Sequence, residues 1–320
     1  MSYTRRDFAK VAALAVPAMS LMGKPDSRFH GVLIGAITYS FRALPGSAEE
    51  TLKYCLDCGI SGVEMMSGAA EAYAGSPAGV SRAFGPGVPG GGPRQRPTPE
   101  QMEARKKVAE DVGKWRLSVS MDKYKDFRKM YEDAGVKIYA FKLPPTLEMP
   151  DAEYEYIWNV AGTLGANHIT MELPTDEKLL ERVASYAAKR KLNIAFHTHG
   201  QGGESGFAKV LGASNYTSLN LDVGHYYGVT GQSPVPVIEK YHDRISSLHI
   251  KDRKGPVDGK GGPNMAFGQG ETPIKEILKL MKQKKYKFPA SIEYEYETPQ
   301  GSDVLSEMKK CVQYAREALS

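Results

Sequence analysis

Two stretches, LNLDVGHYYG (residues 219–228) and ISSLHIKD (residues 245–252), decide how this chain is read. Each starts as an apolar strand pattern and ends in ionisable residues: Asp222 and His225 in the first, His249 and Asp252 in the second. The segment between them, PVPVIEKYHD, has a helical pattern, so the pair reads as strand–helix–strand. Carboxylates and imidazoles gathered where strands run out are what a divalent cation or a proton-transfer site needs.

The same rhythm extends in both directions. Apolar runs fall at VLIGAITYSF (32–41), GVEMM (62–66), VKIYAFKLP (136–144), NHITMELP (167–174), NIAFHTHG (193–200), SLNLDVGH (218–225), ISSLHIKD (245–252) and ASIEYEYE (290–297). Amphipathic segments such as SAEETLKYCLDCG, DKYKDFRKMYEDAG, AEYEYIWNVAGTLGAN, DEKLLERVASYAAKRK and TPIKEILKLMKQKK lie between them, several closing in Gly or Asn as helix C-caps do. This alternation predicts an α/β fold, a single-domain (β/α)8 TIM barrel over residues 25–320. A doubly wound open sheet is the alternative, but FRALPG (41–46) after the first strand is not a Gly-rich phosphate loop. Residues 67–98, rich in Gly, Pro and Ala, break the rhythm. They leave the barrel on the C-terminal face and read either as a disordered loop or as a lid. The helical pattern PEQMEARKKVAEDVGKWR follows them.

The 320-residue composition, 41% hydrophobic and 25% charged, is that of a soluble globular protein. Of the net charge of +5, much sits in residues 1–24, where Arg5, Arg6, Lys10 and Lys24 face Asp7. The remainder is near neutral and gives no argument for nucleic-acid binding. Cys55 and Cys58 form C-x-x-C inside a helical pattern, without a second pair for zinc, and read as buried helix cysteines. The N-terminal TRRDFAK (4–10) followed by VAALAVPAMSLMG resembles a twin-arginine export signal, with Arg5, Arg6, Phe8 and Lys10 on the motif. The apolar run is too short to span a membrane. The expectation is a periplasmic or otherwise exported protein.

Strand alternation tests the site. Ile169 and Met171 oppose Thr170 and Glu172. Ile194 and Phe196 oppose Ala195, His197 and His199. Leu219 and Leu221 oppose Asn220 and Asp222. Leu248 and Ile250 oppose Ser247, His249 and Lys251, and Ile292 and Tyr294 oppose Ser291, Glu293 and Glu295. The apolar face must pack on helices, so the other face turns inward, with Glu172, His197, Asp222, His249 and Glu293 converging near the C-terminal ends. Three packed carboxylates repel unless a cation joins them, and this donor set suits Mn²⁺, Mg²⁺, Co²⁺ or Zn²⁺. Asp252 is off the inward parity and reads as a loop or supporting group.

GVEMM, LGANHITMELP, LNLDVGHYYGV, SSLHIKD and ASIEYEYE, in this order, resemble the xylose isomerase-like TIM barrels, specifically the sugar phosphate isomerase/epimerase family, over residues 31–318. The resemblance implies one divalent metal ion held by Glu172, Asp222, His249 and Glu293. It implies His225, in D-x-x-H, as a substrate contact, and His197 and His199, in H-x-H, as substrate contacts or supports. Endonuclease-type relatives with three zinc ions need further histidines, but none lies between His30 and His168 or in RKGPVDGKGGPN after Asp252. DNA cleavage is therefore disfavoured.

The expected chemistry is proton abstraction beside a carbonyl. Glu172 and Glu293 would be the catalytic groups, with Lys142, Lys251 and His225 binding hydroxyls or the oxyanion. An isomerase or epimerase acting on a non-phosphorylated sugar is expected first. A lyase or dehydratase on a keto-sugar, keto-glycoside or inosose is second, and a non-catalytic sugar-binding barrel third. The expected partner is a small carbohydrate, not nucleic acid or membrane, and the sequence leaves a homo-oligomer open.

Overall fold

All eight apolar runs become parallel strands of one closed barrel in the computed structural model, which describes residues 23–79, 98–199 and 203–320. The strands are β1 (Val32–Ile37), β2 (Gly62–Met66), β3 (Lys137–Lys142), β4 (His168–Glu172), β5 (Asn193–His197), β6 (Thr217–Asp222), β7 (Ile245–Ile250) and β8 (Ala290–Ile292). Each pairs in parallel with its sequence neighbours, and β8 pairs with β1, so no edge remains. A two-residue strand, Arg28–Phe29, adds antiparallel to β1.

The helices are α1 (Ala48–Asp57), α2 (Ser67–Tyr73), α3 (Pro99–Arg116), α4 (Asp122–Asp133), α5 (Asp151–Leu164), α6 (Glu177–Arg190), α7 (Glu204–Gly212), α8 (Val223–Thr230), α9 (Val235–Tyr241), α10 (Ile274–Lys284) and α11 (Val304–Leu319). Their starts follow local chemistry: Ser47 and Glu50 close a capping box on α1, Thr98 and Gln101 one on α3, and Asp176 accepts the first amides of α6. The core lies between barrel and helices, where Ile169, Ile194, Phe196, Leu219, Leu221 and Leu248 are fully buried. Cys55 and Cys58 are buried there too, and burial pushes both thiols up, Cys58 to about 12. They are inert packing groups. Among the described residues no helix is long and apolar enough to cross a membrane.

The segment expected to be a loop from residue 67 begins instead as α2. Its Ala- and Glu-containing sequence favours helix, and its Glu71 is fixed by Arg116 Nε (2.8 Å) and by the Tyr156 hydroxyl (2.9 Å). Residues 80–97 of that segment, and the export signal expected over residues 1–24 except its last two positions, lie outside the described residues.

Below the site the barrel interior is polar rather than filled with aliphatic layers. The Tyr139 hydroxyl bonds Ser291 Oγ (2.6 Å), His168 Nε2 meets Ser247 Oγ (3.0 Å), and Asn220 Nδ2 donates to Ser247 Oγ (2.7 Å). Tyr139 crosses the barrel over Gly35, where a Cβ would lie 2.6 Å from the phenol oxygen and 3.0 Å from the Gly62 carbonyl. Gly35→Ala is therefore expected to destabilise the fold by about 2 kcal/mol through overpacking. An unchanged urea midpoint would show that Tyr139 can move aside.

His168 is buried and its pKa falls to about 4, chiefly because burial disfavours the imidazolium. The unfolded chain takes up this proton as pH drops through about 6.5, the folded chain only near 4, so folded stability is lost across that window as pH falls. By pH 5 this one group costs about 2 kcal/mol. His168→Gln should flatten the pH dependence by that amount in urea titrations at pH 7 and pH 5, and parallel curves for the two proteins would exclude the assignment.

Candidate metal and proton-transfer site

The C-terminal ends of β4 to β8 deliver the residues singled out by alternation. Asp222 ends β6 and is the N-cap of α8: its Oδ1 accepts the His225 backbone N–H at 2.6 Å. The D-x-x-H spacing is thus a helix N-cap and its third residue. It anchors one carboxylate oxygen and turns the other, Oδ2, inward, where it has no hydrogen-bond partner and lies 3.1 Å from the Lys251 ammonium and 4.0 Å from His249 Nδ1. Burial raises the Asp222 pKa to about 6 against the pull of Lys251.

His249 is fully buried between two carboxylates: Nδ1 is 2.9 Å from Glu293 Oε2 and Nε2 is 2.7 Å from Glu64 Oε2. Burial alone would depress its pKa, but Glu64 and Glu293 outweigh burial and lift it to about 10. Glu64 also accepts from Thr170 Oγ1 (2.6 Å) and Asn220 Nδ2 (3.2 Å). Burial pushes its pKa up, yet His249 holds it near 2. Glu293 is likewise kept ionised, with Lys251 and His249 overcoming its burial.

One set of donor atoms that converge within 4.8 Å of one another belongs to His197, Asp222, His249 and Glu293, all buried, and a second to His197, His199 and His225. Two carboxylates and two imidazoles around one point, with an inward Asp222 oxygen whose near partner is the Lys251 ammonium among them, fit a divalent cation. His197 is neutral, its protonation suppressed by burial and by Lys142, and its Nδ1 is 2.8 Å from Asn220 Oδ1, which fixes Nδ1–H and turns Nε2 away from it.

Glu172, expected among the metal ligands, stands outside this group. Its Oε1 accepts from Lys142 Nζ at 2.9 Å, and its Oε2 is 2.7 Å from His199 Nδ1 at the exposed barrel mouth. Burial would raise its pKa, but His199 and Lys142 lower it overall, so it is a carboxylate at neutral pH. His199 is raised by the same contact. Lys251, expected to contact substrate, is buried among carboxylates, 2.7 Å from Glu293 Oε2, 2.6 Å from Glu295 Oε2 and 3.1 Å from Asp222 Oδ2. His225 sits at the mouth with Nδ1 2.6 Å from Arg253 Nη1. Asp252 is a structural anchor: it accepts the amides of Gly268, Gly270 and Thr272.

Lys142 reaches the interior through an irregularity. The β2–β3 register jumps from Val63↔Ile138 to Glu64↔Ala140, so Tyr139 is bulged out of the ladder. Tyr139 and Lys142 then both face inward although three residues apart. Sequence reasoning missed two functional candidates. Glu64 had a signal, being the single ionisable residue in an apolar strand run. Arg253 had none, because it follows the strand in a loop of little pattern.

Among proteins of known structure, the chain resembles the IOLI protein solved with a zinc atom (13% identity, TM-score 0.53, covering 89% of this chain and 96% of that one). It equally resembles a D-psicose 3-epimerase solved in the presence of D-fructose (12% identity, TM-score 0.53, covering 90% and 96%). At these identities the likeness is one of fold. In sequence it is 25% identical over 159 residues to an inosose dehydratase of Clostridium botulinum (strain Eklund 17B / Type B), covering 44% of this chain and 53% of the relative. The chain spans about half the length of the curated relatives it matches. Residues 101–315, most of the barrel, match one family as a whole, and the chain belongs to the Xylose isomerase-like TIM barrel family.

Proposed function

We propose that this chain is a metal-dependent enzyme that moves a proton at the carbon beside the carbonyl of a non-phosphorylated sugar or keto-sugar, as an isomerase or epimerase. The observation that carries the reading is the adjacency of a buried two-His, two-carboxylate set to an ionised Glu172 at the mouth. Asp222, His249, Glu293 and His197 would hold the cation, with Glu172 beside them; the zinc atom bound by the IOLI protein supports a metal in a barrel of this fold. When bound, the cation supplies positive charge against the charge that develops on the substrate oxygens. Glu172 takes the proton from carbon, its carboxylate aimed by Lys142 and His199. Glu293, held ionised by Lys251 and His249, is the second carboxylate; having no proton of its own, it returns one from the other side by passing on a proton from the Lys251 ammonium at 2.7 Å. His225 and the Lys142 ammonium bind hydroxyls.

The charges at the mouth favour a neutral substrate. Lys142 is engaged by Glu172, Lys251 by three carboxylates, Arg253 by the Gly262 carbonyl and His225, and Arg42 by the Tyr294 carbonyl. Each of these cations already faces a carboxylate, carbonyl or imidazole acceptor, which offsets the positive charge that a phosphate dianion would need. Export through the twin-arginine motif at Arg5 and Arg6 is part of the same reading, because sugar phosphates are kept inside cells. N-terminal sequencing of the mature protein from a periplasmic fraction tests it, and an intact Met1 on the functional protein would contradict it.

One observation favours a lyase as second reading. His199, its pKa raised by Glu172, is a proton donor next to the base, suited to protonate a departing hydroxyl. The inosose dehydratase relatives agree with it. Metal analysis followed by solvent-deuterium incorporation, over a panel of ketoses and inososes, separates the readings. Exchange without water loss supports the epimerase or isomerase, and water loss supports the dehydratase. A protein without bound metal, exchange or elimination is a binding barrel and defeats both.

A further inference from the structure

We propose that Arg253 is a positioning residue that locks His225 as a neutral imidazole with its proton on Nε2, so that His225 presents a hydrogen-bond donor to a substrate oxygen and acts neither as base nor as metal ligand. The substrate in this statement is the neutral polyhydroxylated compound of the reading above; the lock itself is a property of the protein alone.

A guanidinium carries donors and no acceptor. Arg253 Nη1 lies 2.6 Å from His225 Nδ1, so that nitrogen must offer a lone pair, and the ring proton belongs on Nε2. The backbone that carries the ring is fixed as well, since the His225 backbone N–H is held by Asp222 Oδ1 at 2.6 Å. The Nε2 side looks into the mouth: it is 3.9 Å from Glu295 Oε2, beyond a hydrogen bond, and the ring centre is 4.6 Å from that of His199. Glu295, Lys251, Glu293, His199 and Arg253 are the titratable and charged groups around it.

The guanidinium is itself seated in a cradle built for it. Its Nε donates to the Gly262 carbonyl at 3.0 Å, and Nη2 donates to the same oxygen. It runs against α8 at Gly228, where a Cβ would come within 2.8 Å of Nε. On the other side a Cβ at Gly262 would collide with the Lys254 carbonyl at 2.1 Å, so only glycine lets that backbone close over the arginine. The Gly262 amide then donates to the Gly228 carbonyl at 2.9 Å, tying the loop after β7 to α8.

This lock decides between two uses of the histidines at the mouth. His197, His199 and His225 have donor atoms within 4.8 Å of one another, close enough for a second cation. With Nδ1 accepting from Arg253 and Nε2 protonated, His225 has no lone pair to give such an ion, whereas an Nε2–H is what a sugar hydroxyl or carbonyl oxygen accepts.

The test is a long-range proton–nitrogen correlation spectrum of the full chain labelled with ¹⁵N at its seven histidines, with His225→Gln used to assign the signal. The expected result is the neutral Nε2–H pattern for His225. In Arg253→Met the signal should move to the averaged position of two exchanging tautomers, and Arg253→Lys, which keeps a donor, should restore part of the original pattern. On a turned-over substrate, Arg253→Met should raise KM about tenfold and change kcat far less, as the loss of a steady hydroxyl contact does. An Nδ1–H or doubly protonated His225 in the unmodified protein overturns the proposal even if the arginine variants do not fold. So does an unchanged His225 pattern in a folded Arg253→Met protein. An Nε2–H pattern in a protein that shows no exchange or elimination upholds the lock and defeats only the functional reading.

Discussion

Glu172→Gln is expected to slow solvent-deuterium exchange into substrate by about 10³-fold, the usual share of a general base. The isosteric amide keeps the contact with Lys142 or His199 through its oxygen but cannot take a proton from carbon. Because Glu172 lies outside the four converging donors, metal content should stay at the unmodified level, and its half-exposed position should leave the urea midpoint within about 0.5 kcal/mol of the original. The combination of lost exchange and retained metal is the informative outcome. Retained exchange would remove Glu172 from the chemistry. Lost metal would return it to the ligand set that the sequence suggested.

The second large effect is expected at Glu64. Glu64→Gln removes the charge that faces His249 Nε2 at 2.7 Å, and with it the group that fixes which imidazole nitrogen points at Asp222 and Glu293. A carboxylate behind a metal-binding histidine sets its tautomer and basicity, and losing one typically weakens metal binding by about 10- to 100-fold. Titration calorimetry with Mn²⁺ or Zn²⁺ measures this directly. Folding should weaken too, by about 3 kcal/mol, because a buried His249 that shares its proton with two carboxylates is left with one. Unchanged affinity together with lowered stability would make Glu64 a packing partner only.

The barrel was legible because its strands repeat one rule. From β4 to β8 the apolar face packs on helices and the other carries one or two ionisable residues near the C-terminal end, so parity alone placed Asp222, His249 and Glu293 together. Parity failed where the ladder is irregular. The bulge at Tyr139 resets the alternation in β3, and no residue type in VKIYAFKLP announces it. It also could not rank inward residues by depth. Lys251 was expected to bind substrate oxygens, yet its ammonium is enclosed by three acids. Glu172 looked equivalent to Glu293, yet Lys142 and His199 draw it to the mouth. Glu64 lies in mid-strand rather than at a strand end, and its contact with His249 comes from reaching across the barrel interior, which no local pattern records. Arg253 depends on glycines about 9 and 25 residues away that bring loop and helix together. Such a meeting is set by tertiary packing and leaves no local period to read.

Asp252, set aside early as a loop residue, has a consequence for how the mouth behaves in time. Both its oxygens are committed to one strand of backbone, Oδ2 to the amides of Gly268 and Gly270 and Oδ1 to that of Thr272, while Arg253 holds the near side of the same excursion through Gly262. The amides cannot be released one by one without stranding a buried carboxylate among polar groups that no longer match it. The loop after β7 is therefore hinged rather than frayed: it comes away as one cooperative piece or stays down. The carboxylate that caps no metal thus makes the three amides of this loop one cooperative unit of local stability.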